Sequence, residues 1–199
     1  MNFERYAKDF NIALKASQEW NLDVDTTDSP LLQDDDLSLT AEIIDNTIAM
    51  HGFDKFKTSC GPTHATHRFI LREQNQSFNP IITIGWVDFQ GRAIHETSRR
   101  KLRREIKKQA KRKSFDTFEH HVWLTLRNNE SIQIVDCTFG YYLYSKGLVS
   151  SPEIWMFDTD SPFEGHKGVE FFPLLAGREA LNALNVLDEN WIPIAAYPR

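Results

Sequence analysis

Cys60, His121 and Asp136 are the residues of this 199-residue chain whose types and order suit nucleophilic chemistry. A thiolate attacks a carbonyl carbon, an imidazole moves the proton, and a carboxylate holds the imidazole in the tautomer that accepts it. Cys60 stands in "TSCGPTHATHRF", where Ser59 or Cys60 begins a helix and Pro62 falls in the first turn. A proline is tolerated there because no backbone N–H is needed. The dipole and free amides of a helix N-terminus favour a thiolate, and the same amides suit the oxyanion of a tetrahedral intermediate.

The imidazole and carboxylate come from "HHVWLTLRNNESIQIVDCTF", residues 120–139, which reads as two strands and a tight turn. Asn tolerates the positive φ of a two-residue hairpin turn, so Asn128 and Asn129 are the natural pair for it. Residues whose numbers sum to 257 then face each other: Arg127 with Glu130, and His121 with Asp136. Opposed Cβ atoms lie ~4.5–5.5 Å apart, within hydrogen-bonding reach of an imidazole and a carboxylate. His120 points to the other face, opposite Cys137. A one-residue bulge would exchange the roles of His120 and His121.

Cys137 is expected to be a packed strand thiol. Cys60, His64 and His67 are spaced by four and seven, along one helical face, which is compatible with metal ligation. A fourth ligand and a zinc signature are missing nearby, so no metal and no cofactor is expected; one histidine should line the cleft and the other lie at the surface.

These residues need elements to hold them. Phe3, Tyr6, Ala7, Phe10 and Leu14 form the stripe of a helix over 3–18. A second helix is expected from Ser38 or Thr40 to Gly52, and a third from Cys60 to Arg72. "IITIGWVDF", 81–89, is a strand by its β-branched and aromatic content. "YYLY", at 141–144, reads as an extension of the hairpin sheet; strands are expected at 153–158, 168–174 and 191–197, and a helix near 176–187. The expected architecture is one α+β domain over 1–199, with helices packed on a mainly antiparallel sheet. Within it lie a helical N-terminal region, about 1–52, and a basic helical insertion, about 97–113. No apolar run approaches the ~18 residues of a membrane helix, and the charged start lacks a signal segment, so a cytoplasmic location is expected. Two cysteines make no disulfide framework.

Charge is distributed unevenly. Residues 98–113, "SRRKLRREIKKQAKRK", hold ten bases and one acid. With a net charge of −5, the rest of the chain carries −14 (−5 minus +9). Six aspartates sit in 21–36, with no base among them. Leu102, Ile106 and Ala110 recur at spacing four, which predicts a surface helix. Its candidate anion-binding residues are Arg99, Arg100, Lys101, Arg103, Arg104, Lys107 and Lys108. They admit nucleic-acid phosphates, an acidic protein or membrane surface, or the chain's own acidic segment as counter-charge. No aromatic interleaving in the run supports base readout.

The order of Cys60, His121-Val122-Trp123 and Val135-Asp136-Cys137-Thr138 resembles the transglutaminase-like superfamily, in the broad sense of papain-fold thiol enzymes. Its His and Asp motifs look like H-x-W and V-D-x-T, and "IITIGWV" is similar to the family's segment between Cys and His. The likeness spans roughly 55–140. Gly61-Pro62 replaces the aromatic that often follows the Cys, Cys137 replaces the usual proline, and Asp54 stands where papain-type enzymes carry an oxyanion Gln. The resemblance implies a papain-like core and a Cys60–His121–Asp136 triad acting on an amide or ester of a protein or peptide, by hydrolysis or acyl transfer. A second expectation is an inactive binding protein of the same fold that engages an anionic partner through the basic helix.

Overall fold

The computed structural model describes residues 1–112, 119–159 and 168–184, and in these the chain is a mixed helical and antiparallel-sheet structure. The expected strand at 191–197 lies outside the described residues. The elements in order are α1 (Phe3–Glu19), α2 (Asp34–His51), α3 (Phe53–Phe56), α4 (Cys60–Gln74), β1 (Ile81–Phe89) and β2 (Arg92–Ile94). There follow α5 (Arg99–Arg112), β3 (His121–Arg127), β4 (Ile132–Asp136), α6 (Phe139–Ser145), β5 (Trp155–Asp158), β6 (Val169–Ala176) and α7 (Arg178–Ala183). Among the described residues no helix is long and apolar enough to cross a membrane.

The sheet is built around β1. β6 runs along one edge of it, while β3 pairs with Ile81–Gly85 and β2 with Val87–Phe89 on the other. β2 and β3 both run antiparallel to β1, so they lie end to end as one interrupted strand. The chain leaves that line after Ile94, forms α5, and returns at His121. β4 and β5 continue the sheet beyond β3.

Strand alternation divides the buried side chains between two faces. Ile82, Ile84, Val122, Leu124, Leu126 and Val135 pack with Ile44 of α2, Phe56 of α3, Leu71 of α4 and Leu102 of α5. Ile81, Val87, Phe89, Trp123, Ile134 and Phe171 pack with Tyr6 and Phe10 of α1 and Phe139 of α6. A hydroxyl chain fastens α1 to the second face. Trp123 Nε1–H donates to the Tyr6 hydroxyl (2.8 Å), which donates to Thr125 Oγ1 (2.6 Å), itself 2.8 Å from Thr83 Oγ1.

Several local expectations are corrected. α2 starts at Asp34 rather than at Ser38 or Thr40, because Gln33 and Asp36 form a capping box in which Gln33 N–H donates to Asp36 Oδ2 (2.8 Å). "YYLY" lies in α6 and not in a strand. The hairpin register is also shifted by two residues: Leu124 faces Val135 and Arg127 faces Ile132, so paired numbers sum to 259. The cause is Asn128, whose Oδ1 accepts from the amides of Glu130 (2.9 Å) and Ser131 (2.8 Å). That Asx turn puts Asn129 and Glu130 at the tip. A shift of two keeps every side chain on its face.

Gly85 faces His121 across the β1–β3 ladder at a place with no room for a side chain. A Cβ there would stand 2.0 Å from Phe172 O and 2.7 Å from Trp123 Cη2. Gly85→Ala is therefore expected to cost about 3 kcal/mol. Urea unfolding should show this as a lower midpoint with an unchanged m-value.

Candidate active site

Cys60 is the first residue of α4, as its sequence predicts, and is half-buried. Ser59 precedes it but does not cap the helix; its hydroxyl donates instead to Lys55 O (2.7 Å). The amides of Cys60 and Gly61 therefore keep the unsatisfied character of a first helical turn, and Pro62 contributes none.

His121 and Asp136 meet on one face of the sheet, as the hairpin predicts, but as diagonal rather than opposed neighbours. Opposite His121 the register would place Thr138, so Asp136 lies two residues along, still within reach of an imidazole. His121 Nε2 is 2.5 Å from Asp136 Oδ2. Cys60 stands near enough to His121 to help raise the pKa of the imidazole. With Nε2 engaged by the carboxylate, the nitrogen left for the thiol is Nδ1.

Asp136 is fully buried and needs more than one partner. Its Oδ1 accepts from the amides of Thr138 (3.0 Å) and Phe139 (2.9 Å), the start of α6. Burial opposes its charge, but His121 and the Thr138 amide outweigh burial and hold the carboxyl below its ordinary range. Burial likewise opposes a charged His121. The attraction of Asp136, their hydrogen bond, and the nearby Cys60 reverse that effect and raise its pKa well above 6.5.

Three further histidines surround this pair. His64 is buried, not at the surface; its Nδ1–H donates to Cys60 O (2.7 Å), and its Nε2 accepts from the Cys137 amide (2.9 Å). Burial, reinforced by His121, lowers its pKa to about 4 against the pull of Asp136. His67 is buried as well. Thr40 Oγ1 donates to Asp36 O (2.9 Å), so His67 Nε2–H must donate to Thr40 Oγ1 (2.8 Å). His67 Nδ1 is then free to accept from the Cys137 thiol (3.2 Å). Burial, then His64, takes the His67 pKa to about 3. All four ring nitrogens of His64 and His67 are thus engaged in hydrogen bonds, and among the described residues no group of three or more His, Cys, Asp or Glu is placed to hold a metal ion. Cys137 is the packed thiol expected, but it lies one residue past the end of β4; its pKa is raised by burial and then by Asp136.

His95 is the residue that sequence reasoning missed. It follows β2 with a φ of 55°, its ring centroid 6.0 Å from that of His121 and 4.9 Å from that of Tyr142. Burial, then His121, lowers its pKa to about 4. The overlooked signal is Gln90-Gly91. Both have positive φ and form a two-residue hairpin turn, which folds β2 back along β1 and brings His95 to the place where His121 resumes the line.

The basic helix forms where the sequence puts it, with Leu102 buried and Ile106 half-buried beneath it. Arg99, Arg100, Arg103, Arg104, Lys107 and Lys108 line one groove with Trp20; Lys101 does not belong to it. Comparison with family models, with curated proteins and with solved structures gives no match for this chain.

The buried neutral histidines make stability depend on pH. Unfolded, His64 and His67 take up protons near pH 6.5; folded, they resist until about 4 and about 3. Between these limits the unfolded state binds more protons, so stability falls as pH falls below 6.5. His121, with its raised folded pKa, works in the opposite sense: its contribution is complete below pH 6.5 and is lost as pH rises through the folded value. Urea midpoints should therefore drop from pH 6.5 to pH 4.5. His67→Gln, which can keep a donor to Thr40 and an acceptor for Cys137, should reduce that slope by about 1.4 kcal/mol per pH unit.

Proposed function

We propose that the chain is a cysteine-dependent hydrolase of the transglutaminase-like class, acting on an amide or ester bond of a protein or peptide. The observation that carries this reading is the almost fully buried His121, bonded to the Asp136 carboxylate and close enough to Cys60 for the thiol to help raise its pKa. The Cys–His–Asp order, the two motifs and a helix bearing the thiol against an antiparallel sheet all support it.

In the reaction, Cys60 attacks as the thiolate, its proton already held on His121 Nδ1, and its sulfur adds to the carbonyl carbon. The amides of Cys60 and Gly61 receive the developing oxyanion. His121 returns the proton to the leaving nitrogen or oxygen, and the C–N or C–O bond breaks to leave a thioester. Water then attacks the thioester, giving a proton to His121, and sulfur departs as the carboxylic acid is released. Asp136 keeps Nε2 protonated throughout, so that Nδ1 is the nitrogen that accepts. An amine in place of water would give acyl transfer; nothing in the chain marks a dedicated amine or acyl-CoA site, so hydrolysis is preferred.

Iodoacetamide labelling followed by peptide mass spectrometry tests the thiol without a substrate. Cys60 in the folded protein should label at pH 6, His121→Ala should slow it at least tenfold, and buried Cys137 should not label. Asp136→Asn is a sharper probe. Its carbonyl can still accept the Thr138 and Phe139 amides, while its NH2 faces Nε2 and forces the proton onto Nδ1. Hydrolysis of a blocked peptide-amide panel should fall by about 10³-fold or more. Equal labelling of Cys60 with and without the His121 ring would sink the proposal.

A further inference from the structure

Outside the thiol site, the densest unused chemistry lies on α5. Arg99, Arg103 and Lys107 recur at intervals of four, as do Arg100, Arg104 and Lys108. Two adjacent rows of cations therefore run along one helical face, each step about 6 Å along the axis. With Trp20, at the end of α1, these six side chains line a groove of about 530 Å³.

Very little neutralises them. Glu105 is the one acid of the helix; Lys108 Nζ donates to it at 2.8 Å, and Arg104 Nε stands at 3.7 Å. No other described carboxylate pairs with either row. The acidic segment 21–36, an internal counter-charge candidate from sequence, makes no ion pair with either row among the described residues. Asp25 accepts from Thr27, Leu32 exchanges hydrogen bonds with Gln133, Ser29 N–H donates to Arg127 O, and Asp36 caps α2. The rows are held close together and repel one another, a cost that a bound polyanion relieves.

The composition of the groove selects among polyanions. Four of the six cations are arginines, whose planar forks match phosphate oxygens. An acidic peptide would use the charge but not the aromatic wall. Trp20 is partly buried against the core, and Arg103 Cζ lies 5.7 Å from its ring centroid. An anchored indole beside two rows of cations is the combination that single strands use, with bases stacked on aromatic rings and phosphates on the basic track. A base paired inside a duplex does not reach such a ring. We infer that α5 and Trp20 form a binding groove for single-stranded nucleic acid, a surface separate from the thiol chemistry.

The test is fluorescence anisotropy of the full chain with a labelled oligothymidine of about 15 nucleotides at 50 and 200 mM NaCl. Binding is expected, with a log–log salt slope of about −2 to −4, as three to six phosphate contacts on a single strand give. Arg100→Glu with Arg104→Glu, both at exposed positions, should abolish it at 200 mM. Trp20→Leu should weaken it roughly tenfold without changing the salt slope, and Trp20→Phe, which keeps a ring, should largely retain it. Cys60→Ala should bind like the parent. Absence of binding at 50 mM overturns the inference. So does equal affinity for the matching duplex, for polyglutamate or for phosphatidylserine vesicles, or indifference to Trp20→Leu, since each describes a surface that reads charge alone.

Discussion

A carboxylate with no contact with solvent stands at the end of β4, and the surrounding structure is organised to keep it charged. Leaving Asp136 buried and unpaired would cost several kcal/mol, so both its oxygens are committed. One meets His121 and the other meets the first amides of α6. The strand, the helix that follows it and the neighbouring strand are thereby tied through a single side chain. The orientation of His121, and with it the nitrogen presented to Cys60, follows from that arrangement.

The placement of Cys60 depends on the same region through a different bridge. His64 lies one turn along α4, donating to the Cys60 carbonyl and accepting from the amide of Cys137, the residue after Asp136. It thus fixes the start of α4 against the end of β4 using only neutral hydrogen bonds. His67 repeats the device one turn further on, between Thr40 of α2 and the Cys137 thiol. The cysteine in V-D-C-T is in this sense a packing and hydrogen-bonding residue. A proline at that position would have no amide for His64.

Much of this was legible in the sequence, and the failures have identifiable causes. Residue types and periodicity located α1, α4, β1 and α5 to within two residues, because each carries a strong apolar pattern or a clear start signal. The His–Asp pairing survived a wrong register since the error was two residues, and side-chain facing has period two. What failed was turn chemistry: Asn128 acts through its side chain as an Asx turn rather than through a positive φ. His95 was overlooked because its relation to His121 depends on a short hairpin followed by a return of the chain after α5. "YYLY" was read by β-propensity, whereas the Asp136 side chain, capping from outside the segment, starts a helix there.

The break between β2 and β3 links the two sites in one construction. An uninterrupted strand along β1 would pass from His95 directly to His121; here the excursion through α5 separates them in sequence, yet their rings stack at 6.0 Å. The strand line thus supplies rigidity at the imidazole, while α5 carries nine basic residues over 99–112 outside the sheet. Electrostatics favours that separation. His64, His67 and His95 are kept neutral by burial, so the charge of His121 is balanced by Asp136 alone and not contested by a second cation. Cationic side chains placed beside the thiol would compete with His121 for Asp136 and weaken the bond that fixes its tautomer. Held on α5, with their one carboxylate partner among the described residues on their own helix, they are available to an external anion without disturbing the buried pair.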